Sequence, residues 1–312
     1  MEQQGNISEV SEFLLLGLSQ VKEVQLSLFF LFIFFYSLIL PGNILIIATI
    51  WTDGHLSSPM YFFLANLAFL DICYSSVTPP KMLADFLSHH KTISYGGCMC
   101  QLFFLHFLGA AEIFLLMAMA YDRYVAICLP LQYMHLVNRS MCCILVAASW
   151  TGGFVHAIIL VTLTHRLYFC GPNTLDNFFC DVHQVIRLAC TDTSMVEVLT
   201  FINNGLVILT SFLLLLISYA ILLLKLKTSA TQGMSKASST CVTHIMVIFV
   251  MVTPAIYLYT RPSKPLPMDK LVAVFHTVIF PLLNPMIYTM RNREIKSSMK
   301  KLLKKCKLWP IV

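Results

Sequence analysis

Charge is what this sequence has least of. Of its 312 residues only 12% are Asp, Glu, Lys or Arg, while 58% are hydrophobic; soluble globular domains carry about 25% charge and about 45–50% apolar residues. Half the usual charge cannot cover a water-soluble protein of this length, so most of the chain has lipid for solvent. Also missing is a basic n-region before the first apolar run, or a small-residue cleavage site after it. Glu2, Glu9 and Glu12 stand there instead, so no cleaved signal peptide is expected. There is no repeat of 20–50 residues and no half-to-half similarity of the transporter kind. No glycine-rich phosphate loop, no metal-spaced His/Cys cluster and no nucleophile with a base beside it can be found, which argues against an enzyme.

What is present in quantity is apolar sequence in long blocks. Runs at 24–50, 58–80, 98–121, 141–163, 197–224, 238–260 and 270–290 each reach the roughly 20 residues a spanning helix needs. Lipid offers no partner to an open backbone N–H or C=O, so the spans must be helical. The expected fold is an all-α membrane protein, a seven-transmembrane helix bundle in a single domain over 1–312, with a tail at 1–23, the bundle at 24–290 and a second tail at 291–312. Asp71, Asn284 and several prolines make the second and seventh runs the least regular.

Lysine and arginine set the orientation. With the N-terminus outside, the cytoplasmic segments hold 13 of the 21 basic residues and 3 of the 15 acidic ones. That bias predicts an extracellular N-terminus and a cytoplasmic C-terminus in the plasma membrane. The net charge of +6 then reflects topology and implies no nucleic-acid partner. The basic segment KKLLKKCK (300–307) predicts a short cytoplasmic amphipathic helix on the membrane lipid after the seventh span, with Cys306 a candidate for palmitoylation.

Of the eleven cysteines, Cys98, Cys170, Cys180 and Cys190 fall at or beyond the outer boundary, where disulfides can form. Four cysteines permit three pairings, and sequence alone does not choose among them. Cys100 is expected as a free thiol packed in the bundle. Asn6-Ile7-Ser8 is a glycosylation sequon on the outer tail; Asn138-Arg139-Ser140 matches the same pattern in a cytoplasmic loop and is rejected.

Two carboxylates lie inside the bundle, Asp71 in the second span and Glu112 in the third, each costing about 2.5–3.5 kcal/mol near a helix centre. Asn43 and Asn284 lie at comparable depth. The group reads either as a polar network joining helices or as a monovalent cation (sodium) site built from hard oxygen ligands. Eleven residues beyond Glu112, at the inner end of the third span, come Asp122 and Arg123. Alone they would be a positive-inside anchor with a capping neighbour. A bidentate Asp–Arg pair at a helix end can also hold a cation until another partner competes for it. The sixth span offers such groups in KASSTCVTH (236–244), where Lys236, Thr240 and His244 recur at four-residue spacing. A seam of this kind can supply the two packings a switch needs.

Five stretches carry a resemblance: PMYFFLANLAFLDICYSS (59–76), MAYDRYVAIC (119–128), SYAILLLKLK (218–227), KASSTCVTH (236–244) and PLLNPMIYTMRN (281–292). In order and spacing they resemble the signature stretches of olfactory receptors, which are rhodopsin-like G-protein-coupled receptors. The loop CDVHQVIRLACTDT (180–193) is similar to the tetrapod-type form. The resemblance implies disulfides Cys98–Cys180 and Cys170–Cys190. It implies an Asp122-Arg123-Tyr124 latch facing a stimulatory, olfactory-type G protein that raises cyclic AMP. Tyr219 and Tyr288 would meet Arg123 when the inner end opens, with His244 on the facing seam. Asp71, Glu112 and Asn284 would match the family's sodium-type pocket, which favours the cation reading.

The ligand of such a receptor is a small volatile odorant, expected in the outer half of the bundle. The third span would offer Leu105, His106, Gly109 and Ala110; the fifth Asn203, Asn204, Val207 and Ile208; the sixth Ala255, Ile256 and Tyr259; the seventh Val274 and Thr277. None of these is charged, so a neutral ligand with one polar function is expected. Amine receptors of this fold place an aspartate where this chain has Leu105, which argues against an amine ligand. A non-olfactory receptor for another lipophilic ligand, or a transporter or channel, are the rival readings; a transporter would want ionisable groups along a continuous path. Two features depart from the family pattern. The middle of the sixth span reads Met251-Val252-Thr253-Pro254 and lacks the usual aromatic pair and glycine, and Pro41 stands beside Gly42-Asn43 in the first span.

Overall fold

A computed structural model of the chain describes residues 10–228, 234–259, 266 and 268–305, without the side chains of 226–228, 234–244 and 288–291. Seven helical spans form the bundle: Lys22–Thr52, Pro59–Leu87, Tyr95–Cys128, Arg139–His165, Ser194–Thr228, Met234–Tyr259 and 269–291. Among the described residues six helices are long and apolar enough to cross a membrane, and Ile245–Tyr259 in the sixth span is a shorter apolar one. Lipid-facing positions stay apolar and exposed, as at Phe30, Phe34, Leu213 and Ile217, while Leu67, Leu70, Leu115, Leu116 and Met119 pack the interior. The sequon at Asn6, the acylation candidate Cys306 and the side chain of His244 lie outside the described residues, as does the side chain of Tyr288.

Prolines set the irregularities. The second span is two helices, Pro59–Ser75 and Pro79–Leu87, because Pro79 and Pro80 bring no N–H to bond the carbonyls before them. In the seventh span Pro281 cannot donate to the carbonyl of Thr277 and its ring crowds that turn. The backbone widens there into a π turn over Phe275–Ile279 before continuing as Phe280–Arg291. Pro285 in turn leaves the carbonyl of Pro281 without its helical donor, and Asn43 of the first span supplies one, its Nδ2 donating at 3.3 Å. Asn43 is therefore a helix-to-helix tie and stands apart from the carboxylate pair. Pro41 sits within the unbroken first helix.

At the end of the bundle that carries the disulfides, the chain adds a small sheet the sequence reading did not anticipate. Strand β1 (Glu12–Leu15) pairs antiparallel with β2 (Thr92–Ser94) and parallel with β3 (Thr174–Leu175). Its period-two pattern buries Phe13 and Leu15 under the outer loops, and Phe13 meets the ring of Phe169 edge-on with centroids 5.7 Å apart. Lys270 closes the cap, donating to the Gly17 carbonyl at 3.0 Å and pairing with Asp176 at 2.6 Å. Disulfides join Cys98 to Cys180 and Cys170 to Cys190, with Cα separations of 5.5 and 5.9 Å. Cys100 is exposed on the outside of the bundle, not packed within it. Two residues along a helix turn it by about 200°, so Cys100 faces away from the buried Cys98.

At the opposite end, Arg293–Lys305 forms an amphipathic helix whose Ile295 and Ser298 are buried. Polar contacts help pin it. Tyr61 donates to Glu294, and the Ser298 hydroxyl beside Asp53 holds that carboxyl below the usual carboxylate range.

Candidate functional site

The third span runs through the centre of the bundle and carries three groups of interest along one helix. Nearest the disulfides is a cavity of about 30 Å³. Leu105, His106, Gly109 and Ala110 line it from the third span, Asn204, Val207 and Ile208 from the fifth, and Ala255 and Tyr259 from the sixth. Gly109 and Ala110 leave the space because they carry almost no side chain. The rest of the wall is Tyr74, Ile113, His156, Met251 and His276, none of which the sequence reading placed in the ligand site.

Four positions expected on this wall are elsewhere, for identifiable reasons. Asn203 turns to the fourth span, where its Nδ2 donates to the His156 carbonyl at 3.2 Å. Ile256 packs into the hydrophobic core. Thr277 spends its hydroxyl on the Ala273 carbonyl at 2.8 Å. The π turn adds a residue to its turn and rotates the seventh helix, so that His276 takes the place expected for Val274 and Thr277. The imidazoles carried the missed signal, since a histidine within an apolar span must find a partner or face a cavity.

The cavity is polar in places but uncharged. His106 lies 5.8 Å from His156 and 5.3 Å from Tyr259 between ring centroids, and His276 lies 5.7 Å from Tyr74. Asn204 Nδ2, His156 Nδ1 and His276 Nδ1 are buried and have no hydrogen-bond partner among the described residues. Above them, the Cys180 N–H donates to Gln101 Oε1 at 2.9 Å, seating the disulfide-tied loop on the third span.

The carboxylate pair lies one turn deeper. Asn284 Nδ2 is 3.0 and 3.1 Å from the two oxygens of Asp71 and 3.3 Å from Glu112 Oε1. All three residues are buried. Two ionised carboxylates at this separation repel, so the cluster needs one proton or one cation between them. Asn284 Oδ1 is buried without a hydrogen-bond partner among the described residues. That oxygen and the two carboxyls make a donor set that fits a hard monovalent ion.

At the far end, Arg123 directs both Nε, at 2.8 Å, and a terminal nitrogen to the same oxygen of Asp122, Oδ2. The pair is therefore made by two donors that converge on one carboxylate oxygen. The other oxygen, Oδ1, is taken by Tyr133 of the following loop, whose hydroxyl donates at 2.7 Å. Burial first, then the Asp122 charge, hold the Tyr133 phenol well above its usual range, so it stays protonated and remains a donor. Tyr124 packs against the core and Tyr219 is buried in it. Beside this pair the loop exposes Leu131 at 99% and Met134 at 78% of their surfaces.

A seven-helix bundle with a capped, uncharged cavity near one end and an ion-paired arginine at the other end of the same helix defines a multi-pass membrane protein of the receptor class. The comparisons with known proteins narrow this. The family profile described as "Olfactory receptor" matches residues 32–306, so the chain belongs to the olfactory receptor family, whose members are receptors and not enzymes. It is 59% identical over 300 residues, 96% of each chain, to olfactory receptor 4M1 of Mus musculus. To olfactory receptor 4M1 of Homo sapiens it is 58% identical over 302 residues, again 96% of each. To human olfactory receptor 4N5 it is 57% identical over 298 residues, 96% of this chain and 97% of that one.

Proposed function

We propose that this chain is an odorant receptor of the plasma membrane, with its disulfide end outside, that binds a small neutral volatile molecule in the cavity and activates a stimulatory G protein to raise cyclic AMP. The observation that carries this is the shared third span. One helix lines a buried cavity with unpaired polar atoms and, roughly 16 Å beyond Glu112 at 1.5 Å per residue, ends in the Asp122–Arg123 pair. A ligand that rearranges the wall at Tyr74 or Ile113 acts next to Asp71 and Glu112, and the rigid helix carries the displacement to Arg123. The exposed Leu131 and Met134 beside Arg123 offer the apolar patch a protein partner needs. A panel of volatile compounds applied to cells expressing the full chain tests the reading by cyclic AMP output. A response to neutral compounds that depends on surface expression supports it, and a response confined to charged amines or peptides contradicts it.

At about 30 Å³ the cavity is far below the roughly 300–1,000 Å³ of ordinary ligand sites, so agonists either select an opened conformer or push the wall apart. Met251, unbranched and flexible, is the wall residue best able to yield.

The Tyr133 hydroxyl helps hold the resting latch. Tyr133→Phe removes a donor worth about 1 kcal/mol, which should raise ligand-independent cyclic AMP per surface receptor by about fivefold. Unchanged basal output would remove Tyr133 from the latch.

Asp71, Glu112 and Asn284 would hold a sodium ion, whose charge neutralises the paired carboxylates and favours the packing in which they stay together. Basal activity should then depend on sodium concentration in the wild type, and Asp71→Asn with Glu112→Gln should abolish that dependence. A wild type indifferent to sodium would make the cluster a plain polar tie between helices.

A further inference from the structure

Three residues that line the cavity each carry a buried polar atom without a hydrogen-bond partner among the described residues, and they come from three different spans. Asn204 of the fifth span, 1% exposed, presents Nδ2, and His156 of the fourth, 7% exposed, presents Nδ1. His276 of the seventh span, 5% exposed, presents Nδ1 beside Tyr74 of the second. Much of the remaining wall, including Gly109, Ala110, Ile113, Val207 and Met251, offers no side-chain hydrogen bond.

We infer that the cavity selects short-chain neutral molecules with two oxygen functions several bonds apart, the one at the Asn204–His156 pole being a carbonyl. The inference rests on the odorant-receptor reading above and names the ligand class of that same site. An amide nitrogen can only donate, so whatever fills the place beside Asn204 must accept. A ketone, aldehyde or ester oxygen has two lone pairs and can take the Asn204 N–H together with a proton from His156. The His276 nitrogen accepts or donates according to its tautomer, so the second function is a carbonyl or a hydroxyl. A hydrocarbon of the same shape would fill the middle of the cavity and leave all three atoms buried and unpaired, the costly outcome for a polar group. An anion or cation would meet no countercharge in the wall. The small volume favours a short chain: it asks the flexible Met251 to yield, whereas a long or branched chain asks more of the wall.

The test uses the full-length receptor in cells, with surface receptor counted through an N-terminal epitope, and four probes of one carbon number: hexane-2,5-dione, hexan-2-one, hexan-2-ol and hexane. The dione should be at least about tenfold more potent than the ketone, the ketone more potent than the alcohol, and hexane inactive. Asn204→Leu should weaken both carbonyl probes by about tenfold or more. His276→Phe keeps a ring against Tyr74 and removes the nitrogen, so it should collapse the dione's advantage over the ketone to about one. The inference is overturned by a dione no better than the ketone, by an active hexane, by His276→Phe weakening both carbonyls equally, or by silence to all four probes. If acids, amines or hydrocarbons signal and still lose potency in these variants, the ligand class is wrong while the cavity remains the receptor site. If the agonists are indifferent to both substitutions, the cavity reading falls with it.

Discussion

Arg123→Ala should reach the cell surface in normal amounts and lose cyclic AMP output at every agonist concentration, by at least about tenfold. Arg123 is half-buried and donates from two nitrogens to one oxygen of Asp122. Removing the guanidinium leaves Asp122 with Tyr133 still donating to Oδ1, so the helix end keeps a capped carboxylate. The Tyr133 bond offsets part of what folding loses when the buried Asp122 gives up its cation, whereas the cation that a partner would engage is gone altogether. Counting surface receptor by epitope staining beside the cyclic AMP assay separates the two. Normal signalling from a well-displayed variant would remove Arg123 from the coupling mechanism.

Gly153→Val should do the reverse and keep the receptor from the surface. The third and fourth spans touch backbone to backbone at this glycine. A Cβ placed there would lie 2.5 Å from the Phe107 carbonyl oxygen, 2.8 Å from the Ala111 nitrogen and 2.9 Å from the Ala111 Cβ. Backbone cannot step aside as a flexible side chain can, so the helices must separate. Overpacking of this kind costs about 1–3 kcal/mol or more, a large share of the ~5–15 kcal/mol that holds a typical protein folded. Gly205→Ala is the control: an added Cβ meets nothing within 4 Å there, and surface display should stay near wild type. Equal display of the two variants would contradict the close third–fourth contact.

Much of this arrangement was legible in the sequence because lipid imposes simple rules. Long apolar runs had to be helices, and the buried Asp71, Glu112 and Asn284 had to find one another. The prolines obscured the rest. Pro281 converts one turn of the seventh span to a π turn, which simple 3.6-residue spacing cannot foresee, and so Val274 and Thr277 were expected where His276 stands. Asn203 and Asn204 are adjacent, about 100° apart around the helix, and only one could face the cavity; the sequence does not say which, and the His156 carbonyl decides it. Strand β1 pairs with segments some 80 and 160 residues away, and its four residues are too short a pattern to detect in advance. The loop tyrosine Tyr133 lies eleven residues from Asp122, and nothing in its local pattern links it to that carboxylate.

The central claim is that one cavity in the disulfide half of the bundle governs the response. Ala110→Phe tests it most directly, because Ala110 lines the cavity from the central helix and a phenyl ring there would occupy the space a ligand needs. Once any agonist has been identified, its full dose–response curve on this variant should be flat, or displaced by at least about a hundredfold, with the receptor still displayed at the surface. An Ala110→Phe receptor that answers the agonist with wild-type potency would place the binding site elsewhere and contradict the account.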